Sequence, residues 1–277
     1  MKGEIPSCLM FSAQSIWRRH FLVPVLPMLG LIATSLVPAY GVPLSFETVT
    51  LASWHEALFR QPATARAFMN SLGLASGAAV ALVLICLPLA WLMERNPSRL
   101  GRVFDALVDL PYALPGVVLA IAMILLLINL PFTDATLYGT IWIIFLAYLA
   151  RFLVVIFRPI QASIRQLDPA MNEAAQSVGA TLFQRLRLII LPLSAPAAAA
   201  GAILVFLTAF NELTVSALLW SSGTETLGVM IFNLDDSGET VMASALAMTI
   251  VLVVMGLMAG LQISARHLPK GSLPWQT

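Results

Sequence analysis

Charged side chains are scarce in this chain: Asp, Glu, Lys and Arg make up 10% of its 277 residues, against 59% that are hydrophobic. Mean hydropathy reaches +0.89, whereas a soluble globular domain carries about 25% charged residues. The shortage excludes an ordinary soluble domain, and no nucleic-acid partner is expected. Cysteine is nearly absent as well. Cys8 and Cys86 are too few for a disulfide framework, and neither sits in a CxxC or Cys/His metal spacing. His20, His55 and His267 fall in three separate regions, with no pair at helical metal-ligand spacing. There is no Gly-x4-Gly-Lys-Ser/Thr phosphate loop, which removes that route to ATP, and no Ser/His/Asp arrangement stands out. Catalytic residues, a metal site and a cofactor bound by this chain are therefore not expected. If the protein performs work across a membrane, the energy must come from elsewhere.

What the chain has in quantity is long apolar runs. About 20 apolar residues cross a hydrocarbon core of roughly 30 Å, and six stretches meet that length: 22–40, 68–93, 105–130, 138–157, 192–210 and 242–263. An all-α polytopic membrane protein with six transmembrane helices is expected, its residues 1–21 an uncleaved start. The first loop, 41–67, is long enough for an interfacial helix around 52–59. Gly73 and Gly77, and again Gly256 and Gly260, have the small-xxx-small spacing that lets membrane helices approach closely. The third span opens on Leu110-Pro111-Tyr112-Ala113-Leu114-Pro115-Gly116. Pro111 and Pro115 free backbone carbonyls there, which suits either a packing kink or a water-lined pathway.

The distribution of positive charge sets the orientation. With six spans, every Lys and Arg other than Arg60 and Arg66 falls on the side of the termini or at that end of a span, which gives an N-in, C-in topology. Arg151, inside the fourth span, is close enough to the inner end to snorkel to the interface. The chain then divides into an N-terminal stretch with the first span and outer loop (1–67), a five-helix core (68–263) carrying a cytoplasmic loop at 159–191, and a tail (264–277).

That cytoplasmic loop holds the most informative local pattern. Asp168-Pro169 is a helix start, an oxygen to cap free N–H groups followed by a residue with no N–H to lose. Met171, Ala174, Ala175 and Val178 form one narrow stripe of mostly small residues, and Gly179 is placed to end the helix in the left-handed conformation. Thr181 and Gln184 have capping-box spacing, so a second helix starts at once and runs through Leu182, Leu186, Ile189 and Ile190 to a break at Pro192.

The ordered pattern Glu173-Ala174-Ala175, three residues, Gly179, nine residues, Ile189, one residue, Leu191-Pro192 resembles the "EAA" loop of membrane-spanning permease subunits of bacterial type I ABC importers. The resemblance implies that Glu173, Ala174, Ala175, Gly179, Ile189, Leu191 and Pro192 couple the chain to an ABC ATPase subunit, on which ATP and Mg would be bound. It also implies a periplasmic or extracellular solute-binding protein and a second permease unit, either another copy or a sister chain. The phrases Asn70-Ser71-Leu72, Leu110 to Gly116 and Phe210-Asn211-Glu212-Leu213-Thr214 look most like the ferric-iron permease group, whose relatives carry thiamine, phosphonate, sulfate or molybdate. On that likeness iron is the expected cargo, and Pro111, Pro115, Asn211 and Glu212 are candidates for the pathway or an outer gate. Hydrogen bonding of Asn211 or Glu212 to a neighbouring helix is an equally open reading. An ion-coupled secondary transporter remains an alternative, although it would usually need ionisable groups at mid-membrane, which are scarce here.

Overall fold

The computed structural model describes residues 23, 25–95, 98–129 and 136–264. Its longer helices, in chain order, are α1 (Val25–Ser35), α2 (Pro62–Arg95), α3 (Arg99–Leu107), α4 (Gly116–Leu127), α5 (Ile141–Arg165), α6 (Pro169–Ser177), α7 (Leu191–Phe210), α8 (Leu227–Asp236) and α9 (Thr240–Ser264). No strand occurs among the described residues. Residues 1–61 with 231–253 form one unit, and 62–230 with 254–277 another.

In the larger unit α2, α5 and α7 pack against one another. Their side chains explain why they can. Gly77 on α2 lies under Phe145 of α5, where an added Cβ would stand 3.2 Å from the ring, and Gly201 on α7 meets the α5 backbone, 3.1 Å from Cα of Ile156. Small residues are what let lipid-embedded helices approach backbone to backbone. Gly73, the other half of the predicted pair, faces open space. Leu82, Ile143, Ile144, Tyr148, Ile156, Phe157 and Ile160 are fully buried between these helices, while Val80, Leu84 and Leu125 point outward as lipid-facing residues do. In the smaller unit the first loop folds on itself. Thr50 N–H donates to the Leu36 carbonyl at 2.9 Å, and a single turn Ala52–His55 with a wide turn Glu56–Arg60 occupies the place of the expected interfacial helix.

Three expectations change. First, among the described residues four helices are long and apolar enough to cross a membrane, or five if a bent pair counts as one, against the six crossings expected. Of the expected first crossing at 22–40, positions 22 and 24 lie outside the described residues; what is described includes the shorter α1, which ends at Ser35 ahead of Pro38, a residue that cannot continue a helix, and of Gly41 at φ +90. Second, the third crossing is bent far beyond a packing kink: the chain turns by 113° between the segment ending at Ala113 and α4. Proline at 115 disfavours helical backbone at Leu114, which is extended at ψ 143. Third, Pro192 does not break its helix. The backbone widens into a π turn at Leu186–Ile190 and restarts at Leu191, which puts Pro192 in a first-turn position where its missing N–H costs nothing.

Candidate functional site

Two groups of residues in the larger unit carry candidate function, a helical hairpin and a polar layer. The hairpin is set by local chemistry. Asp168 Oδ1 accepts from Ala170 N at 2.9 Å and Pro169 opens α6. At the far end Ala180 N donates to the Ala175 carbonyl at 3.0 Å and Gly179 N to that of Gln176 at 2.9 Å. This is a Schellman turn, with Gly179 at φ +81 in the left-handed position that costs glycine nothing. Thr181 and Gln184 then exchange their bonds, Thr181 N to Gln184 Oε1 at 2.8 Å and Gln184 N to Thr181 Oγ1 at 3.3 Å.

The hairpin presents a surface that the described residues leave uncovered. Val178 is 82% exposed and Met171 44%, and Glu173 and Ala174 beside them are exposed, with Ala175 half-buried. Glu173 does not cap α6; Asp168 does. Ile189 is half-buried while Leu191 and Pro192 are exposed on the opposite leg. A pocket of about 360 Å³ opens at the hairpin's base, lined among others by Trp91, Arg95, Asp168, Asn172, Glu173 and Ile189.

Ion pairs that sequence spacing did not disclose hold this base. Arg158 binds Asp105 at 2.6 Å and grips both oxygens of Asp109, at 3.2 and 2.6 Å. Arg165 reaches Glu94 at 2.8 Å, and the Gln161 amide joins Glu94 and Asp105, each at 3.1 Å. The arm α3, nine residues long with Arg99, Arg102 and Asp105 on it, is not itself a span. The only sequence signal was the run of opposite charges at 94–109 and 158–165.

The polar layer joins all three phrases noted in the sequence. Asn70 donates to the carbonyls of Gly223 and Glu225 at 3.0 and 2.9 Å, and Ser71 Oγ accepts from Leu227 N at 2.9 Å. Thr226 reaches Ser216 at 3.2 Å, and Ser216 donates to the Glu212 carbonyl at 2.8 Å. The Glu212 carboxylate, 7% exposed, accepts from Thr214 Oγ1 at 2.5 Å, from Val215 N at 3.0 Å and from Ser216 N at 3.2 Å. It caps the short turn Ser216–Leu219.

Arg151 closes the layer. It does not snorkel outward: its Nε stands 3.9 Å from Glu212 Oε1, its Nη1 donates to the Leu114 carbonyl at 3.4 Å, and its guanidinium lies 6.0 Å from the centre of the Tyr112 ring. A carboxylate and a freed carbonyl inside the unit attract the cation more than the interface does. The bend at Pro115 and the loop after α7 are thus tied through one side chain. Asn211, expected to act with Glu212, is exposed at the end of α7. Gly116 seals the contact. A Cβ there would collide with the Thr214 side chain and stand 3.0 Å from its backbone carbonyl carbon. Gly116→Ala is expected to cost about 1–3 kcal/mol by overpacking, read as a lowered unfolding temperature in detergent, whereas Gly73→Ala, facing open space, leaves it unchanged.

Residues 86–271 match the model of the family described as the inner-membrane component of binding-protein-dependent transport systems. Among known relatives, an Fe(3+)-transport system permease protein of Haemophilus influenzae is 32% identical over 186 residues, covering 67% of this chain and 36% of the relative. A putrescine transport system permease protein of Escherichia coli is 27% identical over 211 residues, covering 74% and 73%. The chain spans less than half the length of the first two relatives it matches. Among solved structures, a bacterial ABC transporter involved in alginate import superposes with TM-score 0.73 at 20% identity, covering 95% of this chain and 96% of that one. The MetNI methionine ABC transporter gives 0.58 at 20% identity, covering 74% and 96%. With the family model covering the hairpin and the layer around Glu212, the chain belongs to the inner-membrane components of binding-protein-dependent transport systems.

Proposed function

We propose that this chain is the membrane-spanning permease subunit of an ATP-driven importer, oriented N-in and C-in, with α6 as the helix that docks on a separate ATPase. The observation that carries this reading is the exposed hairpin: a capped helix, a glycine turn and a capping box, presenting Glu173, Ala174 and Val178 outward with none of the described residues over them. ATP and Mg bind on the partner, a solute-binding protein delivers cargo to the other side, and a second permease unit completes the pathway. Alternating access follows if ATP-driven closure of the partner shifts the balance between two packings of the spans.

Ferric iron is the proposed cargo, supported by the Haemophilus relative and by the three phrases that meet in the polar layer. The E. coli permeases for putrescine and for spermidine and putrescine, at 27% and 26% identity, support a polyamine as the second reading. Pull-down of the tagged chain from its native membrane in mild detergent is expected to recover an ATP-hydrolysing subunit, as judged by mass spectrometry and an ATPase assay. Uptake of labelled ferric iron and of labelled putrescine in deletion cells then separates the cargoes. Recovery of no ATPase would reject the importer reading.

A further inference from the structure

One aromatic residue beneath the hairpin has no part in the roles above. Trp91, on the last turns of α2, is 5% exposed, and two guanidiniums lie over its ring, Arg95 at 5.7 Å and Arg185 at 5.8 Å from the centroid. Arg95 follows Trp91 by one helical turn. Arg185 arrives from the second leg of the hairpin and is itself 5% exposed. Neither arginine is in an ion pair among the described residues. They converge on α6 instead. With the Gln176 amide oxygen turned toward them, it accepts from Arg95 Nη2 at 3.2 Å and Arg185 Nη1 at 2.8 Å, and Arg185 Nη1 donates to Asn172 Oδ1 at 3.0 Å. Asn172 and Gln176 are four residues apart, hence on one face of α6.

This arrangement is a mechanical attachment. A nine-residue helix is not stable by itself in water, and the other side-chain hydrogen bonds of α6 stay within the hairpin, at Asp168 and between Ser177 and Ala174. The end of α2 is firm, because Glu94 there is bound by Arg165 and Gln161 of α5. Two like charges sharing one amide oxygen repel each other, and the electron-rich face of an indole is what offsets that in the absence of a carboxylate. We propose that Trp91, by holding Arg95 and Arg185 against α6, is a positioning residue that passes movement of α6 to α2. This rests on the reading of α6 as the ATPase-docking helix.

The test uses the full chain co-purified with its ATPase in membrane vesicles. A cysteine in place of the exposed Asn211 reports movement of the spans as an ATP-dependent change in labelling by a maleimide, and ATP hydrolysis is measured in parallel. Trp91→Ala is expected to reduce that labelling change by about fivefold or more while hydrolysis continues. Trp91→Phe, which keeps a ring, restores it and Trp91→Leu, which keeps bulk alone, does not. Gln176→Ala, at an exposed position that threatens folding less, is expected to act in the same direction. Equal recovery by Phe and Leu, or full labelling change in both Trp91→Ala and Gln176→Ala, overturns the proposal. If Gly179→Val abolishes the change and Trp91→Ala does not, the proposal falls and the docking reading stands. If the parent chain shows no ATP-dependent change, the docking reading itself falls, and the proposal with it.

Discussion

Gly179→Val is expected to lower ATP-driven uptake at least about tenfold, a coupling loss within the usual range for linked sites, while the protein stays in the membrane at its normal level. The reason lies in the backbone. Gly179 sits at φ +81, and a Cβ built on it meets nothing within 4 Å. Crowding is therefore absent, and the whole cost is conformational, about 1–2 kcal/mol for forcing an L-residue into the left-handed region and more for a β-branched one. That is too little to unfold the chain. It is enough to favour a different turn, which would lose the paired bonds to Ala175 and Gln176 and re-aim α6 relative to Thr181. Graded substitutions separate this from a general lesion. Asn tolerates the left-handed region best after Gly, so Gly179→Asn should retain most uptake, Gly179→Ala less and Gly179→Val least. Ala174→Phe tests the same surface without touching the turn: Ala174 is exposed, so folding is spared and only docking is blocked. Uptake by initial rate, set against membrane abundance by immunoblot, checks the series. Normal uptake by both Gly179→Val and Ala174→Phe would reject α6 as the docking helix.

Removal of the Glu212 carboxylate is the other large effect. Glu212→Ala leaves Val215 N, Ser216 N and Thr214 Oγ1 without their acceptor and leaves Arg151, whose side chain is 18% exposed, with the Leu114 carbonyl and the Tyr112 ring. Breaking one side of a buried charge pair costs roughly 3–5 kcal/mol, because the surviving charge stays desolvated. A drop in unfolding temperature and in membrane abundance is expected. Glu212→Gln keeps one acceptor oxygen and should be milder. The informative comparison is Arg151→Leu together with Glu212→Gln. Neutralising both partners avoids the orphaned charge, so the double variant should be more stable than Glu212→Ala, and the non-additivity read from a double-mutant cycle measures the pair. A double variant no better than Glu212→Ala would show that the pair contributes little and that capping of Ser216–Leu219 is the main role of Glu212.

The difference between these two regions is also the difference in how far the amino-acid sequence could be read. The caps and the turn of the hairpin act over five residues or fewer: Asp168 caps Ala170, Gly179 and Ala180 bond back to Gln176 and Ala175, and Thr181 pairs with Gln184. Spacing alone places such contacts. Arg151 finds Leu114 and Glu212 across 37 and 61 positions, and Asn70 finds Glu225 across 155. No periodicity encodes partners that far apart, so position in the sequence points Arg151 to the interface and Asn211 to the company of Glu212. Trp91, Arg95 and Arg185 carry no local signal for the same reason.

By itself the sequence determined that this is a membrane protein built of helices, because scarce charge and runs of about 20 apolar residues leave a lipid-embedded backbone few ways to satisfy its own hydrogen bonds. It also determined the hairpin, whose caps and turn are local. Only the tertiary structure decided that the segment around Pro115 turns through 113°, that the backbone widens into a π turn just before Pro192 and continues helical past it, and that Arg151 faces inward to Glu212. Each of those outcomes depends on what neighbouring helices offer to a freed carbonyl, a missing N–H or an unpaired charge, and those neighbours are assembled only when the chain has folded.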